Sequence, residues 1–101
     1  MIVISGIIPI NPAKRDEATA AAAVMQQATM QEEGCNAYRF SFAVDDPNLV
    51  CIQEEWVDQA ALDAHFASAH MAVFGGQMGD FVAGAGSFTK YIVASSGPLF
   101  G

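Results

Sequence analysis

Positive charge is scarce in this chain. Lys14, Arg15, Arg39 and Lys90 stand against eleven Asp and Glu, giving a formal net charge of -7. A phosphate backbone or an anionic bilayer would be repelled, which excludes nucleic acid and acidic membrane surfaces as partners. Cysteine is scarcer still. Cys35 and Cys51 form no C-x-x-C pair, so they read as free structural thiols and not as a disulfide or half a metal site. No apolar run approaches the roughly 20 residues that a membrane helix needs. The opening "MIVISGII" lacks a basic leader and a small-residue cleavage site. It is expected to be a strand rather than a signal peptide, and the protein is expected to be cytoplasmic.

What the chain does have is core-forming material. Hydrophobic residues make up 52% of its 101 residues and are spread along the whole length, which predicts one folded domain covering residues 1–101. The β-branched "MIVISGIIPI" predicts a strand buried on both faces or nearly so. Asn11 and Pro12 fit the cap and first position of a helix. Ala18, Ala21, Ala22, Met25, Ala28 and Thr29 carry its apolar face to about Glu33, with Gly34 as the terminating residue.

"CNAYRFSFAV" and "LVCIQEEW" predict a hairpin across the "DDPN" turn. With Val44 opposite Leu49, Arg39 faces Glu54 and Phe42 faces Cys51. Tyr38, Phe40 and Phe42 then share one face, and Arg39, Ile52, Glu54 and Trp56 share the other. Asp58 caps a helix to about Ala67. Ser68 caps a second segment with Met71, Phe74, Met78 and Phe81 as its apolar stripe. "SFTKYIVAS" is the last strand.

The order strand, helix, strand, strand, helix, strand defines an α+β, ferredoxin-like βαββαβ fold, an antiparallel sheet with helices on one face. An uncovered aromatic face bearing Tyr38, Phe40 and Phe42 predicts a homodimer packed through the sheets.

His65 and His70 raise the question of a metal. On one straight helix five residues turn about 500°, which sets the rings about 140° apart. A break at Ser68 could bring them together, yet only Asp63 and Asp80 lie near in sequence as further ligands, so no metal site is expected. As an acid–base group a histidine is well suited, since its ordinary pKa lies near neutrality.

Residues 34 to 71 carry Gly34, Asp46-Pro47, Glu54 with Trp56, Ala61-Leu62 with His65, and Ser68 with His70. This run resembles the antibiotic biosynthesis monooxygenase family of the dimeric α+β barrel superfamily. The resemblance implies a cofactor-independent monooxygenase, a homodimer without metal or flavin, acting with O2 on a small phenolic or quinol-like aromatic. His65 would be base or proton relay, and Arg39 and Glu54 would orient the phenolic oxygen. Trp56 would stack on the ring, with Phe66, His70, Met71, Phe74 and Phe81 as further substrate-binding residues. Haem-degrading relatives carry a Trp near the place of His65 and an Asn in the first strand. Here Trp56 is the single tryptophan and no Asn precedes Asn11, which argues against haem. The alternatives are a non-catalytic dimer that binds a small ligand, and an oxygen-independent isomerase or lyase of the same superfamily.

Overall fold

The computed structural model describes all 101 residues. The most apolar segment takes a central place. Strand β1 (Ile2–Pro9) lies between β3 (Leu49–Trp56) and β4 (Ser87–Ile92), and β2 (Cys35–Phe42) pairs with the far side of β3. All three pairings are antiparallel. Ile2, Ile4 and Ile8 point to the buried face. No helix is long and apolar enough to cross a membrane.

Helix α1 (Arg15–Thr29) follows a short 3-10 turn over Pro12–Lys14. Asn11 caps that turn, its side-chain oxygen accepting from the Ala13 N–H at 3.0 Å. Ala18, Ala21, Met25 and Thr29 are buried, one face of a 3.6-residue period. Small residues on that face let α1 lie close to the sheet. The helix ends at Thr29, earlier than the expected Glu33. Residues 30–34 instead make a tight turn, with Gln31 N–H on Ala28 O and Glu32 N–H on Thr29 O. Gly34 closes the turn at φ +85, where a Cβ would also lie 2.7 Å from the Ala61 Cβ. Both the left-handed backbone and the close approach require glycine.

The central hairpin corrects the expected register. Tyr38 pairs with Glu54, Arg39 with Gln53, Phe40 with Ile52 and Phe42 with Val50. Each pair sits one residue from the expectation, because the loop holds residues 43–48. There Ala43 N–H reaches Leu49 O, and the Asn48 N–H is held by Asp46 Oδ1 at 2.9 Å. A slip of one residue moves a strand's whole side-chain set to the other face. Tyr38, Phe40 and Phe42 therefore lie under the helices with Ile52, Glu54 and Trp56. Arg39 is exposed on the opposite face and pairs with no carboxylate.

The uncovered face is consequently not the aromatic one. Val3, Ser5, Ile7, Cys51, Gln53, Thr89 and Tyr91 make a mixed surface. Cys35 packs against the core on the helix side while Cys51 lies on the outer face, and both are free thiols.

Helices α2 (Gln59–Phe66) and α3 (Ala69–Phe81) complete the covered face. Asp58 caps α2 through the Ala61 N–H at 2.9 Å. Ser68 joins the two helices. Its hydroxyl donates to His65 O at 2.6 Å and accepts from the Met71 N–H at 3.2 Å.

Candidate functional site

Between sheet and helices lies a cavity of about 440 Å³. Ile4 and Ile8 of β1, Tyr38 and Phe40 of β2, and Ile52 and Glu54 of β3 form its floor. His65 and Phe66 of α2 and Met71, Phe74 and Met78 of α3 form the walls, with Phe88 of β4 at the edge. Gly6 makes room for that edge. A Cβ there would lie 2.7 Å from Phe88 Cε1 and 3.0 Å from Ile52 Cγ2. The lining is apolar except at one end, where Tyr38, Glu54 and His65 converge. A large apolar pocket with a few convergent polar groups suits a flat aromatic ligand with a polar substituent.

Glu54 is buried, and Trp56 Nε1–H donates to its Oε1 at 2.9 Å. Burial raises the Glu54 carboxyl above its ordinary range. The Trp56 hydrogen bond and nearby His65 work against that rise, and Glu32 adds to it. Tyr38, opposite Glu54 in the register, is pushed upward by burial and by the Glu54 charge. It stays a hydrogen-bond donor at any physiological pH. Burial, with Glu32 and Glu54, pushes the Cys35 thiol up to about 11, so it is no nucleophile near neutrality.

His65 is 1% exposed. Its ring lies 4.8 Å from the Trp56 ring and 5.4 Å from that of Tyr38, centroid to centroid. The Nδ1 atom is 2.6 Å from Glu32 Oε2, and Nε2 has no partner in the chain. The break at Ser68 turns His70 back toward His65, so that its Nε2 lies 2.8 Å from the same Glu32 oxygen. The straight-helix angle does not apply, and the expectation that no third ligating group lies near is corrected by Glu32.

The structure sorts the expected site residues. Glu54, His65, Phe66, Met71 and Phe74 line the cavity. Trp56, fully buried, holds Glu54 and backs His65 without lining the cavity. His70 stands behind His65 on Glu32. Phe81 is buried at the far end of α3, its ring 6.0 Å from that of Phe74. Arg39 is on the other face of the sheet. Tyr38 and Phe40, read as subunit interface, belong to the site instead. Glu32 was not anticipated. Its only sequence signal is an acid two residues before a turn glycine, and its role depends on α1 and α2 ending over the same end of the sheet.

A four-stranded antiparallel sheet in the order β2-β3-β1-β4 with helices on one face defines the ferredoxin-like α+β class. Within that class the chain belongs to the antibiotic biosynthesis monooxygenase family, whose model matches residues 1–76. It is 34% identical over 74 residues to "Putative monooxygenase YcnE" of Bacillus subtilis, covering 73% of this chain and 78% of that protein. It is 29% identical over 98 residues to the uncharacterized protein sll1783 of Synechocystis, covering 97% of this chain and 67% of that one. A structure from Deinococcus radiodurans carrying the family's name superposes with a TM-score of 0.90 over the whole of both chains. Their identity is 20%, so that likeness concerns the fold.

Proposed function

We propose that the protein is a cofactor-independent monooxygenase that uses O2 to convert a small phenol or hydroquinone-like aromatic into a quinone. The observation that carries this reading is His65, with Nδ1 anchored on Glu32 and Nε2 unpartnered at the polar end of an apolar cavity of about 440 Å³.

The aromatic ring lies on Ile4 and Ile52 beneath Met71, beside the Phe40 and Phe74 rings, with its hydroxyl toward His65. His65 Nε2 takes the phenolic proton, and Glu32 fixes the ring and stabilises the imidazolium that forms. Tyr38 donates a hydrogen bond to the phenolate oxygen. The electron-rich anion passes an electron to O2, and the two radicals recombine at a ring carbon. The hydroperoxide then loses water. One oxygen atom enters the quinone and the other leaves as water, so no external reductant is needed. The reading includes a homodimer that buries the outer sheet face, where Ile7 and Tyr91 are 43% and 53% exposed. Light scattering at micromolar concentration tests it, a monomer being the adverse result.

The test of the chemistry is O2 uptake by chelator-treated protein offered hydroquinones, naphthols and anthrones. Uptake should exceed the autoxidation blank and fall about 10²- to 10⁴-fold in His65→Ala, the usual contribution of a general base. Turnover under strict anaerobiosis would instead select the isomerase or lyase reading. Quenching of Trp56 fluorescence without turnover would select a binding protein.

A further inference from the structure

We infer that Glu32, His65 and His70 form a binding site for a divalent first-row transition-metal ion, on the side of His65 turned away from the cavity. Three elements supply the ligands: the α1–β2 turn, α2 and α3. Glu32 Oε2, His65 Nδ1 and His70 Nε2 all lie within 4.8 Å of one another. Two imidazole nitrogens and one carboxylate oxygen suit zinc, iron, cobalt, nickel or copper and disfavour magnesium and calcium, which take oxygen ligands.

Charge supports the assignment. Glu32 has no lysine or arginine partner. Arg15 lies over the Phe42 ring and donates to Pro47 O, and Lys90 donates to Gln59. Glu54 adds a second carboxyl nearby. Within ion-pair distance of Glu32 stand only the imidazoles of His65 and His70. Both imidazoles now meet a single carboxylate oxygen, at 2.6 and 2.8 Å. Metal ligands at about 2.0 Å in a tetrahedral shell stand about 3.3 Å apart. Loading therefore moves the carboxylate away from both rings by about half an ångström and draws the two nitrogens together. Glu32 can make that move, because it sits in the turn before Gly34 and not in α1. The His65 ring is held by its aromatic neighbours, and its backbone by Ser68. The His70 and Glu32 side chains are 24% and 16% exposed, which leaves a side open for water to complete the shell.

The site goes beyond the monooxygenase reading and makes an opposite demand on the same ring. A metal on Nδ1 leaves the proton on Nε2 and turns His65 from acceptor to donor toward the cavity. A loaded site would therefore hold the base out of action.

Chelator-treated full-length protein would be titrated with Zn(II) by calorimetry and with Co(II) by visible absorption. The expected result is one ion per chain, with Co(II) bands of a four- or five-coordinate nitrogen–oxygen site. Affinity should fall at least 100-fold in His70→Ala and in Glu32→Gln, the upper end of what even an outer-shell partner costs. Thermal melts of both variants without metal check that they fold. No binding below about 1 mM to the parent overturns the site, and so does equal affinity in parent and folded variants. Metal binding without O2 uptake by metal-free protein leaves the site standing and removes the base reading. O2 uptake without metal binding does the reverse.

Discussion

Glu32 and His65 lie 33 residues apart in sequence, and their side chains meet at 2.6 Å from Oε2 to Nδ1. The contact exists because α1 stops at Thr29, which places Glu32 in a turn facing the end of α2. It fixes which ring nitrogen of His65 carries a proton, and so which one is free to accept a proton from a ligand.

Glu32 is thus a positioning residue, and its variant has a distinctive kinetic signature. Glu32→Gln in metal-free protein should lower kcat about 10- to 100-fold, the usual cost of losing a carboxylate behind a functional histidine. KM should change little, because Glu32 does not line the cavity. A loss confined to KM, with kcat intact, would remove Glu32 from the proton chemistry.

The hairpin register makes opposite predictions for adjacent residues. Phe40 packs against the core beneath Phe74, their ring centroids 5.5 Å apart, while Ser41 is exposed on the outer face. Phe40→Ala should cost roughly 3 kcal/mol, the low end for a large aromatic because Phe40 is only partly buried. Ser41→Ala should stay within about 0.5 kcal/mol. Denaturant midpoints decide between them. Comparable losses at both positions would contradict the register.

The same hairpin separates what the residues disclose in sequence from what they do not. Element order, the Asn11, Asp58 and Ser68 caps and the strand-to-helix junction at Trp56 rest on local chemistry and were legible. Register depends on how many residues the loop absorbs, and a slip of one exchanged the faces of Tyr38 and Arg39. The cavity residues Glu54, His65, Phe66, Met71 and Phe74 could be named because they fall within one recognisable stretch and its helix. Glu32 could not. Its partnership is tertiary, joining a turn to two helices across a sheet.

Glu54 sets a pH dependence of stability whose sign follows from its raised carboxyl. Below its ordinary value of 4.5 the group is protonated both folded and unfolded. Above that value the unfolded chain releases the proton while the folded chain still holds it, so stability falls as pH rises. The decline continues until pH passes the raised folded value and then levels off. Tyr38 from β2, Trp56 from β3, His65 from α2 and the carboxylate of Glu32 surround or influence the group. Glu54→Gln keeps an oxygen for the Trp56 N–H and has no proton to lose. Relative to the parent, the variant should gain stability between pH 4 and pH 8, as read by urea midpoints across that range. A parallel pH profile in the two proteins would show that Glu54 ionises normally.

Gly6 offers a way to change the cavity without touching its polar end. The Phe88 ring covers Gly6, and an added methyl would lie 2.7 Å from Phe88 Cε1. Phe88 is 53% exposed and β4 is an edge strand, so the ring can swing outward more readily than the backbone can shift. Gly6→Ala should therefore open the Phe88 edge of the cavity, and Phe88→Ala should do the same without the clash. Both should weaken fused-ring ligands more than small single-ring ones, because the lost contacts belong to the end away from His65, which a single ring anchored at His65 does not reach. The proton-transfer groups are unaltered, so kcat should hold on both, while KM rises for a fused-ring compound and changes little for a single-ring one. Binding followed by Trp56 fluorescence gives the comparison directly. If both variants weakened single- and fused-ring compounds alike, Phe88 would be a general support of the fold and not the edge that sets ligand length.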